Sequence, residues 1–331
     1  MNLGYDKTLN YLDRIRRRKG INQCKDFYRN LANENRQNAI WLINDRRLHF
    51  ASLFILQPEI NELKLELNER NQTALDLCKK ISAGKGTSQD AEISIQLSSE
   101  HVHRVLLWIL NTGAADDGLG NEFDRIVDTA AAVLIKTHHE ESIIPVIADL
   151  IFQRSRRGSY CHDLVWAFFQ SRNIDSLRYI AKYLRSSNTA DVQLARKLLN
   201  LPQNTELSAR ADRQKEYENY LLWLHENGPY LYFTGESLQY SNSPDPCRLD
   251  LEAKYLRKTI DSQHHKPIVP YTQEELTCLK SFDEAQENEK STLADYSQAL
   301  FKRNHRSWNQ WIHSPVDQQL HIAGYGRRAL I

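Results

Sequence analysis

Glycine and proline are scarce, at 12 and 9 in 331 residues. Both punctuate turns, so their shortage works against a turn-rich β architecture and favours long helices. No apolar run approaches the ~18 residues that a membrane-spanning helix needs. The opening MNLGYDKTLNYLDRIRRRK also lacks the apolar centre of a secretory signal. Net charge is nearly absent: 43 Lys and Arg against 42 Asp and Glu leave +1. That balance excludes a global field drawing the whole chain onto nucleic acid or a membrane. The five cysteines (Cys24, Cys78, Cys161, Cys247, Cys278) are odd in number, dispersed and never paired as CxxC. Such a set fits reduced thiols in the cytosol better than a disulfide framework or a zinc site. The GxSxG elbow, the HExxH helix and the Rossmann fingerprint are missing too. The expectation is a cytoplasmic protein with no membrane association and no cofactor.

What is there reads as helix. Hydrophobic residues at 41% and charged residues at 26% are ordinary for a folded chain, and the length allows a substantial core and two domains. From Glu141 to Leu201, apolar segments alternate with short polar turns. Ile143, Ile144, Ile147, Ala148, Leu150 and Ile151 share one face, with Pro145 tolerated in the first turn. The polar run Arg154–Ser159 breaks the pattern, and Leu164, Val165, Ala167, Phe168 and Phe169 resume it. Ile174, Leu177, Ile180, Ala181 and Leu184 predict a third helix, and Val192, Leu194, Ala195, Leu198 and Leu199 a fourth. Ile147-Ala148 recurs as Ile180-Ala181 at an offset of 33, with Ile144 against Leu177 and Ile151 against Leu184. A unit that cannot bury its own apolar face stacks on its neighbours. On these residues, most visibly NIDSLRYIAKYLRSSNTADVQLARKLLN, the chain resembles HEAT- and armadillo-like helical repeats over about residues 141–201. The Pro, Asp and Arg placements of those families are mostly missing.

A second self-similarity lies between residues 33 and 80. Asn33–Ile40 matches Asn68–Leu75 at an offset of 35, and ERNQTALDLCKKI resembles the opening helix of an ankyrin repeat. In that resemblance Thr73 caps the helix while Ala74, Leu75 and Leu77 face inward. Gln72 stands where the family has Gly, and no Gly-Ala-Asp finger follows.

Composition divides the chain into a helical region at 1–81, a linker at 82–99, a helical-repeat core at 100–226 and a segment at 227–331. The linker contains Gly84-Lys85-Gly86-Thr87. A phosphate loop needs a glycine where Lys79 or Lys80 stands, so that reading is discarded. Tyr217, Tyr220, Leu221 and Leu224 predict a helix ending at Asn227-Gly228-Pro229. The stretch from Pro229 to Cys247 is an irregular, aromatic-rich connection. Beyond it Thr272 and Glu275 make a capping box with a Tyr271–Leu276 staple, a long amphipathic helix spans Leu293 to Ile312, and Ser314-Pro315 starts a last helix ended by Gly324. The predicted fold class is all-α: stacked helical hairpins, α-solenoid-like or an irregular bundle, with a helical C-terminal extension.

Three sets of residues carry functional readings. Tyr230, Tyr232, Phe233 and Tyr240 sit among Gly, Ser and Pro, where aromatics anchor a partner or pin the loop to the helical body. Five cations in the six residues Arg14–Lys19 include Arg16, Arg17, Arg18 and Lys19, and with Arg156, Arg157, Lys302, Arg303 and Arg306 they are candidates for phosphate contacts. Trp308 and Trp311 beside the last three add rings that stack on bases in single-strand binders, though their i,i+3 spacing also fits a core stripe. His138 and Glu141 lie one helical turn apart and, with His162, are the metal candidates. His101 and His103, two apart, face opposite ways on a helix. Cys161-His162-Asp163 holds thiol and base in one run, but sequence neighbours on a helix point apart. The leading expectation is a non-enzymatic helical-repeat scaffold that binds another protein. Nucleic-acid binding through the basic clusters is the first alternative, and a metal-dependent enzyme the second.

Overall fold

The structure, a computed structural model, describes residues 9–83, 99–202, 210–236, 241 and 244–328, with the backbone alone at 325–328. Eighteen α-helices occur among the described residues, with only short antiparallel strand pairs beside them, so the fold is all-α with a helical C-terminal region. The chain forms two compact units, Met1–Ser171 and Arg172–Ile331. That boundary falls inside the stretch 100–226 and divides the run 141–201 between the two.

The first unit holds α1 (Tyr11–Lys19), α2 (Ile21–Glu34), α3 (Arg36–Ile43), α4 (Phe50–Ile55), α5 (Gln57–Glu62), α6 (Glu69–Ala83), α7 (Glu100–Gly113), α8 (Asn121–Lys136), α9 (Ile144–Arg156) and α10 (His162–Gln170). Several starts are fixed by side chains that accept orphan amides. Asn10 Oδ1 takes the Leu12 N–H at 2.7 Å, and Ser99 Oγ takes that of Val102 at 3.2 Å. Phe50 stacks on Phe123 at 5.4 Å between centroids, and Phe54 meets the same ring edge-on. The faces predicted for α9 and α10 are buried. The ankyrin-like start needs correction. α6 begins at Glu69, Asn68 Oδ1 accepts the Asn71 amide at 2.9 Å, and Thr73 lies inside the helix with its hydroxyl 3.0 Å from His101 Nε2. Ala74, Leu75 and Leu77 are buried as expected.

The connection at residues 114–120, between α7 and α8, is clamped from two directions. Arg16 and Arg17 of α1 hold Asp116, while Arg154 of α9 and Arg157 hold Asp117. Gly118 has φ +88°, and a Cβ there would lie 2.9 Å from the Arg157 guanidinium, so both backbone and space ask for glycine.

The second unit holds α11 (Leu177–Ala181), α12 (Thr189–Leu198), α13 (Arg210–Asn227), α14 (Leu251–Tyr255), α15 (Gln273–Asp283), α16 (Glu287–Arg303), α17 (His305–Ile312) and α18 (Val316–Arg328). Its main core gathers Tyr255, Leu279, Phe282, Leu293, Trp311 and Ile312. The Thr272–Glu275 capping box forms as the sequence predicts. The long amphipathic helix does not run through. Asn304 adopts extended dihedrals and its side chain caps the Ser307 amide at 3.0 Å, splitting α16 from α17. Gly324 does not end the last helix, which continues to Arg328. The aromatic connection contains strands: β1 (Leu231–Phe233) pairs antiparallel with β2 (Cys247–Leu249), Tyr232 opposite Arg248. A second pair, β3 (Ile260–Asp261) with β4 (Lys266–Pro267), follows.

Candidate functional site

The arrangement best suited to holding a ligand lies in the second unit, where α12, α13 and β2 line a cavity of about 850 Å³. Asn188 caps α12 by accepting the Ala190 amide at 2.9 Å, and the chain leaves the helix through Asn200, which has φ +53°. This left-handed step, tolerated by Asn, turns Leu199 and Leu201 onto the cavity wall. Facing them, α13 contributes Lys215, Glu216, Asn219, Tyr220 and Trp223. The outer wall is β2, with Cys247, Arg248 and Leu249.

The charges of the lining cancel. Arg196, Lys215 and Arg248 stand against Asp212, Glu216 and Asp245. Arg196 grips Glu216 Oε1 through Nε and Nη2 at 2.9 and 2.6 Å, a charge-assisted fork. Arg248 bonds Asp245 at 2.7 Å and Glu236 at 2.8 Å. Burial pushes the Cys247 thiol up to about 12, so it keeps its proton and is a poor nucleophile at neutral pH. Burial likewise raises the Tyr220 hydroxyl. Trp223, on the cavity wall, is 39% exposed, and its chain neighbour Leu222 is 60% exposed.

No protein-family model, no curated protein and no solved structure matches this chain.

The aromatic candidates divide. Tyr230 and Phe233 are buried, with Arg257 over the Tyr230 ring, so they are core rather than anchors. Tyr232 stacks flat on His265 at 3.5 Å, and that imidazole is 2.9 Å from the Asp250 carboxylate. Tyr240 lies outside the described residues. The loop is pinned to the helical body through these rings.

The basic candidates divide, four of the nine closing on carboxylates of this chain and five standing exposed. Arg16 is buried against Asp116 and Ser52, Arg17 shares Asp116, and Arg157 bonds the Asp117 carboxylate and carbonyl. Lys302 pairs with Glu226 at 2.7 Å. Arg18, Lys19, Arg156, Arg303 and Arg306 are exposed. Trp311 is buried, and half-buried Trp308 donates to Ser297 Oγ at 2.7 Å, so both rings serve the core.

The metal candidates are not brought together. His138 stacks on His103 at 4.5 Å, and His103 Nε2 bonds Glu140 at 3.0 Å. His162 rests against Tyr160, and Glu141 opens a 3-10 turn. Among the described residues no three His, Cys, Asp or Glu side chains converge as ligands. His101 and His103 do face opposite ways, toward Thr73 and Glu140.

Sequence reasoning missed one thiol–imidazole pair. Cys278 Sγ lies 3.7 Å from His313 Nδ1 in a second cavity of about 530 Å³. Burial, with Glu275 and Glu274 adding to it, raises that thiol, and it donates instead to the Ile312 carbonyl at 3.6 Å. The pair is therefore not an activated nucleophile. The cavity residues Arg196, Glu216, Asp245, Cys247 and Arg248 were missed as well. The one signal available was Leu222-Trp223, off the Tyr220–Leu224 face of α13.

Proposed function

We propose that this chain is a non-enzymatic helical-repeat scaffold that docks a segment of another protein in the cavity between α12, α13 and β2. The observation that carries the reading is the cancelling charge of an otherwise apolar wall. A surface built for nucleic acid concentrates cations to displace counterions from phosphates, whereas protein-docking surfaces combine an apolar floor with a polar rim. The internal pairing of Arg16, Arg17, Arg157 and Lys302 supports protein over nucleic acid. The neutral Cys247 thiol, and the lining arginines closed on carboxylates, support binding over catalysis.

Photo-crosslinking tests this directly. Benzoylphenylalanine placed at Asn219, an exposed position on the cavity wall, is expected to attach to one discrete protein segment, identified by mass spectrometry. Trp223→Asp should abolish the adduct while leaving the circular-dichroism melt unchanged. Adducts no more specific than those from a probe at Lys19, or surviving Trp223→Asp, would remove the proposal.

A further inference from the structure

We infer that the occupant enters as an extended strand added to the outer edge of β2, a reading that rests on the cavity being a protein-docking site. The hydrogen-bond parity of the hairpin leads there. Thr234 N–H donates to the Pro246 carbonyl at 3.1 Å, and Asp250 N–H to that of Tyr230 at 2.8 Å. With Tyr232 opposite Arg248, positions 246, 248 and 250 therefore turn their peptide groups toward β1. Cys247 and Leu249 turn theirs away, and neither makes a backbone hydrogen bond among the described residues. The far side of β1 is already used, since Phe233 N–H donates to the Ser262 carbonyl at 3.1 Å. Among the described residues, β2 is thus the open edge of this small sheet.

The cavity looks onto that edge. Successive side chains of a strand point to opposite faces, yet Cys247, Arg248 and Leu249 all line the one cavity. An edge-on strand presents consecutive residues to a single space in this way. Two N–H and two C=O groups then face a space walled by Leu199, Leu201, Tyr220, Trp223 and Leu251. Another strand satisfies such an edge, whereas a helix has already consumed its peptide groups internally. Charge complementarity sets the composition: a lining of net zero charge, its arginines closed on carboxylates, matches an uncharged segment. The occupant is an extended, uncharged stretch of another protein, about 10 Å along β2 at ~3.3 Å per residue, with large apolar side chains at alternate positions.

A phage-displayed library of random dodecapeptides, panned on the full chain, supplies the probe. Selected peptides should show apolar residues at i and i+2, and their binding should slow amide exchange at Cys247 and Leu249 while changing Arg248 little. Leu249→Pro removes an outward N–H without touching the β1 ladder and should weaken binding about tenfold or more. Leu249→Ala keeps that N–H and should bind at least about threefold more tightly than Leu249→Pro. If Leu249→Pro fails to fold, the exchange measurement decides. Peptides that need Trp223 but leave amides 247 and 249 unprotected would overturn strand addition and leave the docking reading standing. Selection of i,i+3/i+4 patterns, or self-association of the chain blocked by Leu249→Pro, would also overturn it. Failure to select any peptide sensitive to Trp223→Asp would overturn both readings.

Discussion

Arg16 closes a two-pronged ion pair on Asp116, one hundred positions further along the chain, with Nη1–Oδ1 at 2.7 Å and Nη2–Oδ2 at 2.8 Å. Their side chains are only 5% and 11% exposed. The neighbouring Asp117 is held by Arg154 and Arg157, so adjacent carboxylates anchor helices from opposite ends of the first unit. Removing one partner of such a pair strands a buried charge and costs about 3–5 kcal/mol. Arg16→Ala should lower the denaturant-derived stability by that order, and Arg18→Ala by less than about 0.5 kcal/mol. Equal effects would show that the clamp contributes nothing.

Acid should loosen the same clamp. Burial works to raise the Asp116 carboxyl, but the Arg16 hydrogen bond and the charges of Arg16 and Arg17 outweigh it and hold the group below the ordinary range. A carboxylate depressed in the folded state contributes stability above its unfolded value, and that contribution fades as pH falls through the folded one. Asp116→Asn should therefore flatten the decline in stability below about pH 4. An unchanged acid limb would contradict this.

Asp128 should act with the opposite sign. Burial lifts it to about 6 despite the Arg154 hydrogen bond and charge. A carboxyl raised in the folded state costs stability as pH climbs from its unfolded value to its folded one. The stability of the wild type relative to Asp128→Asn should fall by on the order of 3 kcal/mol between pH 4 and pH 7. Parallel pH profiles would refute the assignment.

Thiol labelling checks the cavity chemistry. Burial pushes Cys24 to about 11 and Cys78 and Cys247 to about 12, and with Glu275 and Glu274 it raises Cys278. Iodoacetamide at pH 7 should modify these four over hours rather than minutes, with the rate climbing as pH rises past 9. Rapid, selective labelling of Cys278 or Cys247 would reopen the nucleophile reading.

Affinity for nucleic acid should be no better than non-specific. With Arg16, Arg17, Arg157 and Lys302 neutralised internally, RNA should bind no tighter than about 1 μM at 0.15 M salt. A tighter complex whose affinity falls steeply with salt would reverse the preference for a protein partner.

Much of the helical layout was legible because its rules are local. The apolar spacing of Ile144–Ile151, the Thr272–Glu275 box and the stop at Asn227-Gly228 each depend on residues within a turn or two of one another. The failures are instructive in the same terms. The periodicity of Leu293–Ile312 continues across Asn304 in register, and only the capping side chain shows that the backbone breaks there. The predicted cap at Thr73 yielded to Asn68, a better amide acceptor five residues earlier.

The sequence by itself determined that the chain is helical, because apolar spacing and capping residues act within a turn or two of one another. Only the tertiary structure decided which arginines are structural, because a cation's availability depends on whether a carboxylate a hundred residues away is folded against it. It alone joined α12, α13 and β2 into one cavity, since an edge of unpaired peptide groups is a property of strand pairing and leaves no trace in side-chain order.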